Sequence, residues 1–208
     1  KIMRTAKILF VSAVAALSFY ACSSDDETVY YPSVQQFNGS QESIEDYLNP
    51  ELLATMQGLG LNVNLGNTPP NVTGQFLDSP NVLEATNIEN NTPGTIYADT
   101  YFTIGNFNAL TNSIDISYTT PGNTETSVGV GAVVSGSGNR FTIFAKHQVT
   151  HDVGTADSVM IISGELTSEG IVDFQFATFM LDNHGLPTFI ANNKGRLFHD
   201  GDNLAQKL

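Results

Sequence analysis

The chain has 208 residues, 41% of them hydrophobic and only 14% charged, with 21 acidic side chains against 8 basic ones. A formal net charge of −13 excludes nucleic acid as a partner, because that binding depends on Lys and Arg neutralising phosphates. The same balance excludes electrostatic adhesion to anionic lipid headgroups. With 18 Gly, 8 Pro, 13 Phe, 7 Tyr and no Trp, the composition suits a turn-rich all-β domain better than a helical bundle.

Residues 1–21 join a basic start (Arg4, Lys7) to an apolar run, Ile8 to Ala21. This is the layout of a cleaved secretory signal. About 20 apolar residues are needed to cross a bilayer, and this run is shorter. The leader takes Lys1, Arg4 and Lys7 with it, so the rest of the chain keeps Arg140, Lys146, Lys194, Arg196 and Lys207 as its basic residues.

The leader ends at Cys22, the only cysteine, which precedes Ser23-Ser24-Asp25-Asp26-Glu27. Phe19-Tyr20-Ala21-Cys22 resembles a bacterial lipobox: the small Ala21 suits the signal peptidase, while Phe19 and Tyr20 depart from the aliphatic-then-small pattern. The acidic tract resembles the export signal of Bacteroidetes-type surface lipoproteins. The resemblance implies lipidation of Cys22, a surface-exposed outer-membrane address, and the membrane as partner through that anchor. Each buried methylene contributes about 0.8 kcal/mol, so two or more acyl chains anchor stably where one is marginal.

Residues 22–42 show no periodicity and are expected to form the lipidated cysteine and a flexible tether. Residues 43–60 read as a short helical segment. Ser43 starts one stretch, Ile44 to Leu48; Asn49 then caps a second, with Pro50 at its first helical position. Leu52, Leu53 and Met56 form its apolar stripe, Gly58 is its stop, and the stripe is expected to plug a barrel end or cover a sheet edge.

Residues 61–208 are expected to form the β domain. Extended character runs through Thr73–Leu77, Ile96–Phe107, Ser113–Thr119, Ser127–Val134, Arg140–Thr150, Ser158–Leu166 and Gly170–Leu181. A last piece, Pro187–Ala191, is expected to continue through Arg196-Leu197-Phe198. Ser135-Gly136-Ser137-Gly138-Asn139 is a hairpin signal. These eight or so strands predict an antiparallel meander, closed or nearly closed into an up-and-down barrel, with a two-sheet sandwich as the alternative. Val159 to Ile162 and Phe176 to Leu181 are apolar on both faces, which calls for closure of the sheet or a helical cover.

The helical lead-in, the first strand Val72-Thr73-Gly74-Gln75-Phe76 and the meander resemble lipocalin-like (calycin-type) lipoprotein domains. Phe76 stands where that family's Gly-x-Trp motif has its tryptophan. Arg196 is the candidate for the basic residue that covers this ring from the last strand. The resemblance, over about residues 70–200, implies a cup for an apolar ligand.

Chemistry is sparse. His147 and His151 share a strand face about 13 Å apart, too far for one zinc, and are expected to be solvated. His184, in Asp182-Asn183-His184-Gly185, and the His199-Asp200-Gly201-Asp202-Asn203 run are rich in turn formers. The second run alternates oxygen ligands in a way calcium uses, yet lacks the EF-hand glutamate. No nucleophile elbow and no phosphate loop occurs, so no catalytic residue, metal or cofactor is assigned. Phe102, Tyr118, Phe144, Phe174 and Phe179 are expected in the core and not in a pocket. The expected function is non-catalytic binding of a small apolar molecule or a glycan. The alternatives are a structural, adhesion or accessory lipoprotein, and then a glycoside hydrolase with two carboxylates about 5–9.5 Å apart in a cleft.

Overall fold

The computed structural model describes residues 37–122 and 126–208. The leader, Cys22 and most of the tether lie outside the described residues. Helix α1 (Gln41–Leu48) starts two residues before the expected Ser43, because the Ser40 hydroxyl accepts from the Ser43 amide and caps it. Asn49, at φ 86°, closes α1 by donating its amide to the Glu45 carbonyl. Its side-chain oxygen accepts from the Leu52 amide at 2.8 Å and opens α2 (Pro50–Gly58). One asparagine thus ends one helix and begins the next. No helix among the described residues is long and apolar enough to cross a membrane.

The strands among the described residues form a single sheet of twelve. They are β1 (Asn67–Thr68), β2 (Gly74–Asp78), β3 (Asn81–Thr86), β4 (Ile96–Tyr97), β5 (Thr100–Asn108) and β6 (Ser113–Thr119). Then follow β7 (Thr126–Ser137), β8 (Arg140–His151), β9 (Gly154–Leu166), β10 (Gly170–Asp182), β11 (Gly195–Asp200) and β12 (Leu204–Lys207). All pairings are antiparallel except that of β1 with β7. No second sheet exists among the described residues, so the sandwich alternative has no counterpart here.

Register reduces the twelve strands to eight extended runs and short β1. β2 and β3 are one run interrupted at Ser79-Pro80, and β4 and β5 run alongside both halves. β11 and β12 are likewise one run, interrupted at 201–203, along β10. That last run pairs with the first: Gln206 lies opposite Leu77, and His199 opposite Val82. Each run therefore pairs with its neighbours in sequence and the last returns to the first, which closes a ring. Where β12 lies along β10, Gly170, φ 155°, sits where a Cβ would collide with the Ala205 carbonyl, so that pairing requires glycine.

Three expectations change. Residues 187–191 form no strand: Asn183 donates to the Ile190 carbonyl, and Asn192 accepts from the Asn183 amide. Side chains satisfy that backbone in place of a ladder, so residues 183–194 form a loop. In exchange β3 and β12 are strands that periodicity does not reveal, because Pro80 and the 201–203 turn cut their runs short. The helices cover a face of the sheet, not an end or an edge.

Two apolar layers result. Inside the ring pack Phe76, Phe102, Ile104, Phe141, Ile143, Phe174 and their neighbours. Outside it, Ile44, Leu48, Leu52, Leu53 and Met56 of the helices pack on Phe144, Val159, Ile161, Ala177, Phe179 and Leu197. This second layer explains why the middle of β9 and β10 is apolar on both faces. Tyr47 anchors α1: its hydroxyl donates to the Gly131 carbonyl at 3.0 Å and accepts from the Lys146 amide at 3.2 Å. The strap 61–66 then crosses the outer face, held where Asn64 donates to Ser163 and the Ser163 hydroxyl donates to the Asn62 carbonyl.

Candidate functional site

One end of the ring holds a cavity of about 420 Å³. It forms because inward-facing side chains fill the other half and stop at an aromatic waist. Phe102 contacts Phe174 and Phe176 at ring-centre distances of 5.6 and 5.1 Å. Phe176 stacks on Phe198 at 5.6 Å, and Phe198 meets Tyr97 edge-on at 5.2 Å. Tyr118 lies 6.0 Å from Phe176. Above this floor the lining includes Val149, Thr178, Met180 and, from the loop 183–194, Thr188, Phe189 and Ile190. His184 pins that loop to β9 by its Nε2 contact with Asp157, 3.1 Å.

One corner of the cavity is polar. Asn81 and Thr100 line it, and the Asn81 side-chain amide donates to the Thr100 hydroxyl at 3.2 Å. Register sets Asp78 opposite Thr100 and Asp200 opposite Asn81, and the alternation of β2 and β11 turns both carboxyls inward. Asp78 and Asp200 are 0% and 1% exposed. Burial, followed by the Asp200 carboxylate beside it, pushes the Asp78 pKa up to about 8. Asp78 therefore keeps a proton at neutral pH and donates it to Asp200. Burial raises Asp200 as well, against two backbone amides that its oxygens accept, from Ser79 and Asp202.

A second cavity, about 570 Å³ and more open, lies on the outer face beside the strap 61–66. Its walls are polar: Asn62, Asn64, Glu84, Asp173, Gln175 and Asn203. Glu84 accepts from the Gln175 amide at 3.0 Å, and Asp173 accepts from Asn203 and faces Arg140 at 3.7 Å. Both carboxylates are engaged by neutral or cationic donors.

Of the residues singled out from sequence, Phe102, Phe144, Phe174 and Phe179 are fully buried core, two in each layer: Phe102 and Phe174 inside the ring, Phe144 and Phe179 under the helices. Half-buried Tyr118 does line the cavity. His147 is not solvated. It is 2% exposed on the inner face beside Tyr118, and burial lowers its pKa to about 4. The side chain of His151 lies outside the described residues. In the 199–203 run Asp200 and Asp202 organise the turn, accepting from the amides of Asp202 and Leu204. Among the described residues no cluster of three or more His, Cys, Asp or Glu suits a metal ion. Arg196 does not cover Phe76. It lies over the Tyr97 ring at 5.8 Å and donates to Asn91, whereas Lys207 is the residue opposite Phe76.

Sequence reading missed Asn81, Tyr97, Phe176 and Phe198 as cavity residues, and the buried Asp78 behind them. The one signal was an acidic residue in phase with inward Phe76, hidden because Asp78-Ser79-Pro80 reads as a turn. No protein-family model matches the chain, and no characterised protein or solved structure does.

Proposed function

We propose that this chain is a non-catalytic, surface-tethered lipoprotein whose ring is a lipocalin-like barrel that holds a small, largely apolar molecule. The observation that carries the reading is the aromatic-floored cavity of about 420 Å³ inside the ring, a size and lining suited to a small ligand. The loop 183–194 lies over its mouth and places Phe189 and Ile190 against whatever enters. A glycan is the second reading. The amide-rich outer cavity favours it, since sugar hydroxyls pair with side-chain amides and carboxylates.

The neutral fluorophore N-phenyl-1-naphthylamine tests the cavity. Its emission is expected to rise on binding with one site per chain, and substitution Thr178→Trp, on the cavity wall, is expected to weaken it. A flat titration refutes the inner cavity as a binding site. The tether is tested separately: mass spectrometry of protein extracted from membranes is expected to find diacylglycerol on Cys22. An unmodified chain released in the aqueous fraction would end the lipoprotein reading.

A further inference from the structure

The polar corner of the cavity is built from acceptors that have nothing to accept. Behind Asn81 and Thr100 the Asp78 carboxyl gives its one proton to Asp200 and receives no donor itself, and Oδ1 of Asn81, in the lining, receives none either. Asn81 is 3% exposed yet lines the cavity, and its own amide is committed to Thr100. Buried acceptors left without a donor destabilise the empty site, the more so when charged. A ligand that brings donors to this corner removes that cost.

The charges acting on the corner are all of one sign. Asp99 and Asp200 act on Asp78, and Asp202 acts on Asp200. Arg196, the cation of the lining, is held at the rim by Asn91 and the Tyr97 ring. The same lining carries Tyr97, Tyr118, Phe176 and Phe198, and aromatic rings attract cations. Acceptors without donors, uncompensated carboxyls and an aromatic wall define one chemistry.

We propose that the cavity takes a small amphipathic organic cation, a primary amine on an apolar stem, with its ammonium at Asn81 and Thr100, in front of the buried Asp78–Asp200 pair. The proposal rests on the cavity reading above and names its ligand class. The ammonium supplies three donors in place of the single proton that Asp78 carries in the empty site. Binding therefore expels that proton to the buffer, and the ammonium remains paired with the carboxylate. The stem lies against Phe176, Phe198 and Met180. A divalent metal is disfavoured, since it takes six or more oxygen ligands and no use of the aromatic wall.

Displacement of N-phenyl-1-naphthylamine at pH 7 by n-octylamine, 1-octanol and octanoate tests this. Octylamine is expected to displace the probe roughly tenfold more tightly than octanol, with octanoate weakest. Calorimetry in two buffers of different ionisation enthalpy is expected to show about one proton released with octylamine and none with octanol. Asp78→Asn is expected to retain probe and octanol binding and to lose the amine preference. Octanol or octanoate binding as tightly as the amine overturns the proposal, as does an unchanged preference in Asp78→Asn. Calcium alone expelling the proton and blocking the amine overturns it in favour of a metal. A probe that binds but yields to none of the three overturns it and leaves the cavity reading standing, whereas a probe that never binds removes both.

Discussion

The Asp78→Asn protein is expected to be more stable than the parent at pH 8.5 by on the order of 5 kcal/mol, and nearly equal to it at pH 4. The sign follows from the carboxyl pair. Asp78 titrates near 3.8 in the unfolded chain and at about 8 in the folded one. Between those values the folded state holds a proton that the unfolded state has lost, so stability falls as pH rises through the window. Above it both states are ionised, and the folded state bears the full cost of a buried charge beside Asp200. Asparagine keeps a donor toward Asp200 and has no proton to lose.

His147 complicates the profile in a way that sharpens the test. Burial lowers its pKa from 6.5 to about 4, so the folded state binds fewer protons in that window and stability falls as pH drops from 6.5 toward 4. The two groups oppose each other there. The parent is expected to show a nearly flat profile below pH 6.5 and a decline from 6.5 to 8. Asp78→Asn is expected to abolish the decline and expose the acid-side loss due to His147. Urea unfolding midpoints at four or five pH values measure both effects; an unchanged alkaline limb in Asp78→Asn refutes the assignment.

Phe176→Ala is expected to cost about 3–5 kcal/mol at any pH. The ring is 5% exposed and lies between Phe102, Phe198 and Tyr118, so truncation removes contacts on three sides at once. The waist also separates the filled half of the ring from the cavity, and its loss joins the two. Denaturant midpoints give the stability loss, and Leu110→Ala, at a residue 97% exposed on the β5–β6 turn, is expected to stay within about 0.5 kcal/mol. A loss below 1 kcal/mol for Phe176→Ala would mean that the waist is not a packed layer.

Much of the architecture is legible before any coordinates. Period-two alternation places Ser113–Thr119 residue for residue, and the Ser135–Asn139 cluster marks the hairpin that turns at Gly138. Asn49-Pro50 opens α2 as capping chemistry requires, whereas the left-handed glycine that ends it is Gly60, φ 109°, and not the expected Gly58. The two-faced apolar stretches of β9 and β10 announce a cover on the outer face, and the helices provide it. Such signals are local: each residue's own backbone preference and its immediate neighbours carry them.

The site was not legible, because no local rule governs it. Asp78 and Asp200 are 122 positions apart and meet only when the last run pairs with the first. Asp78 looks like a turn former, and its burial depends on β2 facing inward and on Thr100 arriving opposite it. Arg196, by contrast, falls at an expected place in the chain but covers Tyr97, because the register of β11 on β3 sets it far from Phe76. Composition and periodicity determined an acidic all-β meander with a helical cover. Closure of the ring decided which side chains face one another across its interior, and hence where charge is desolvated and where space is left.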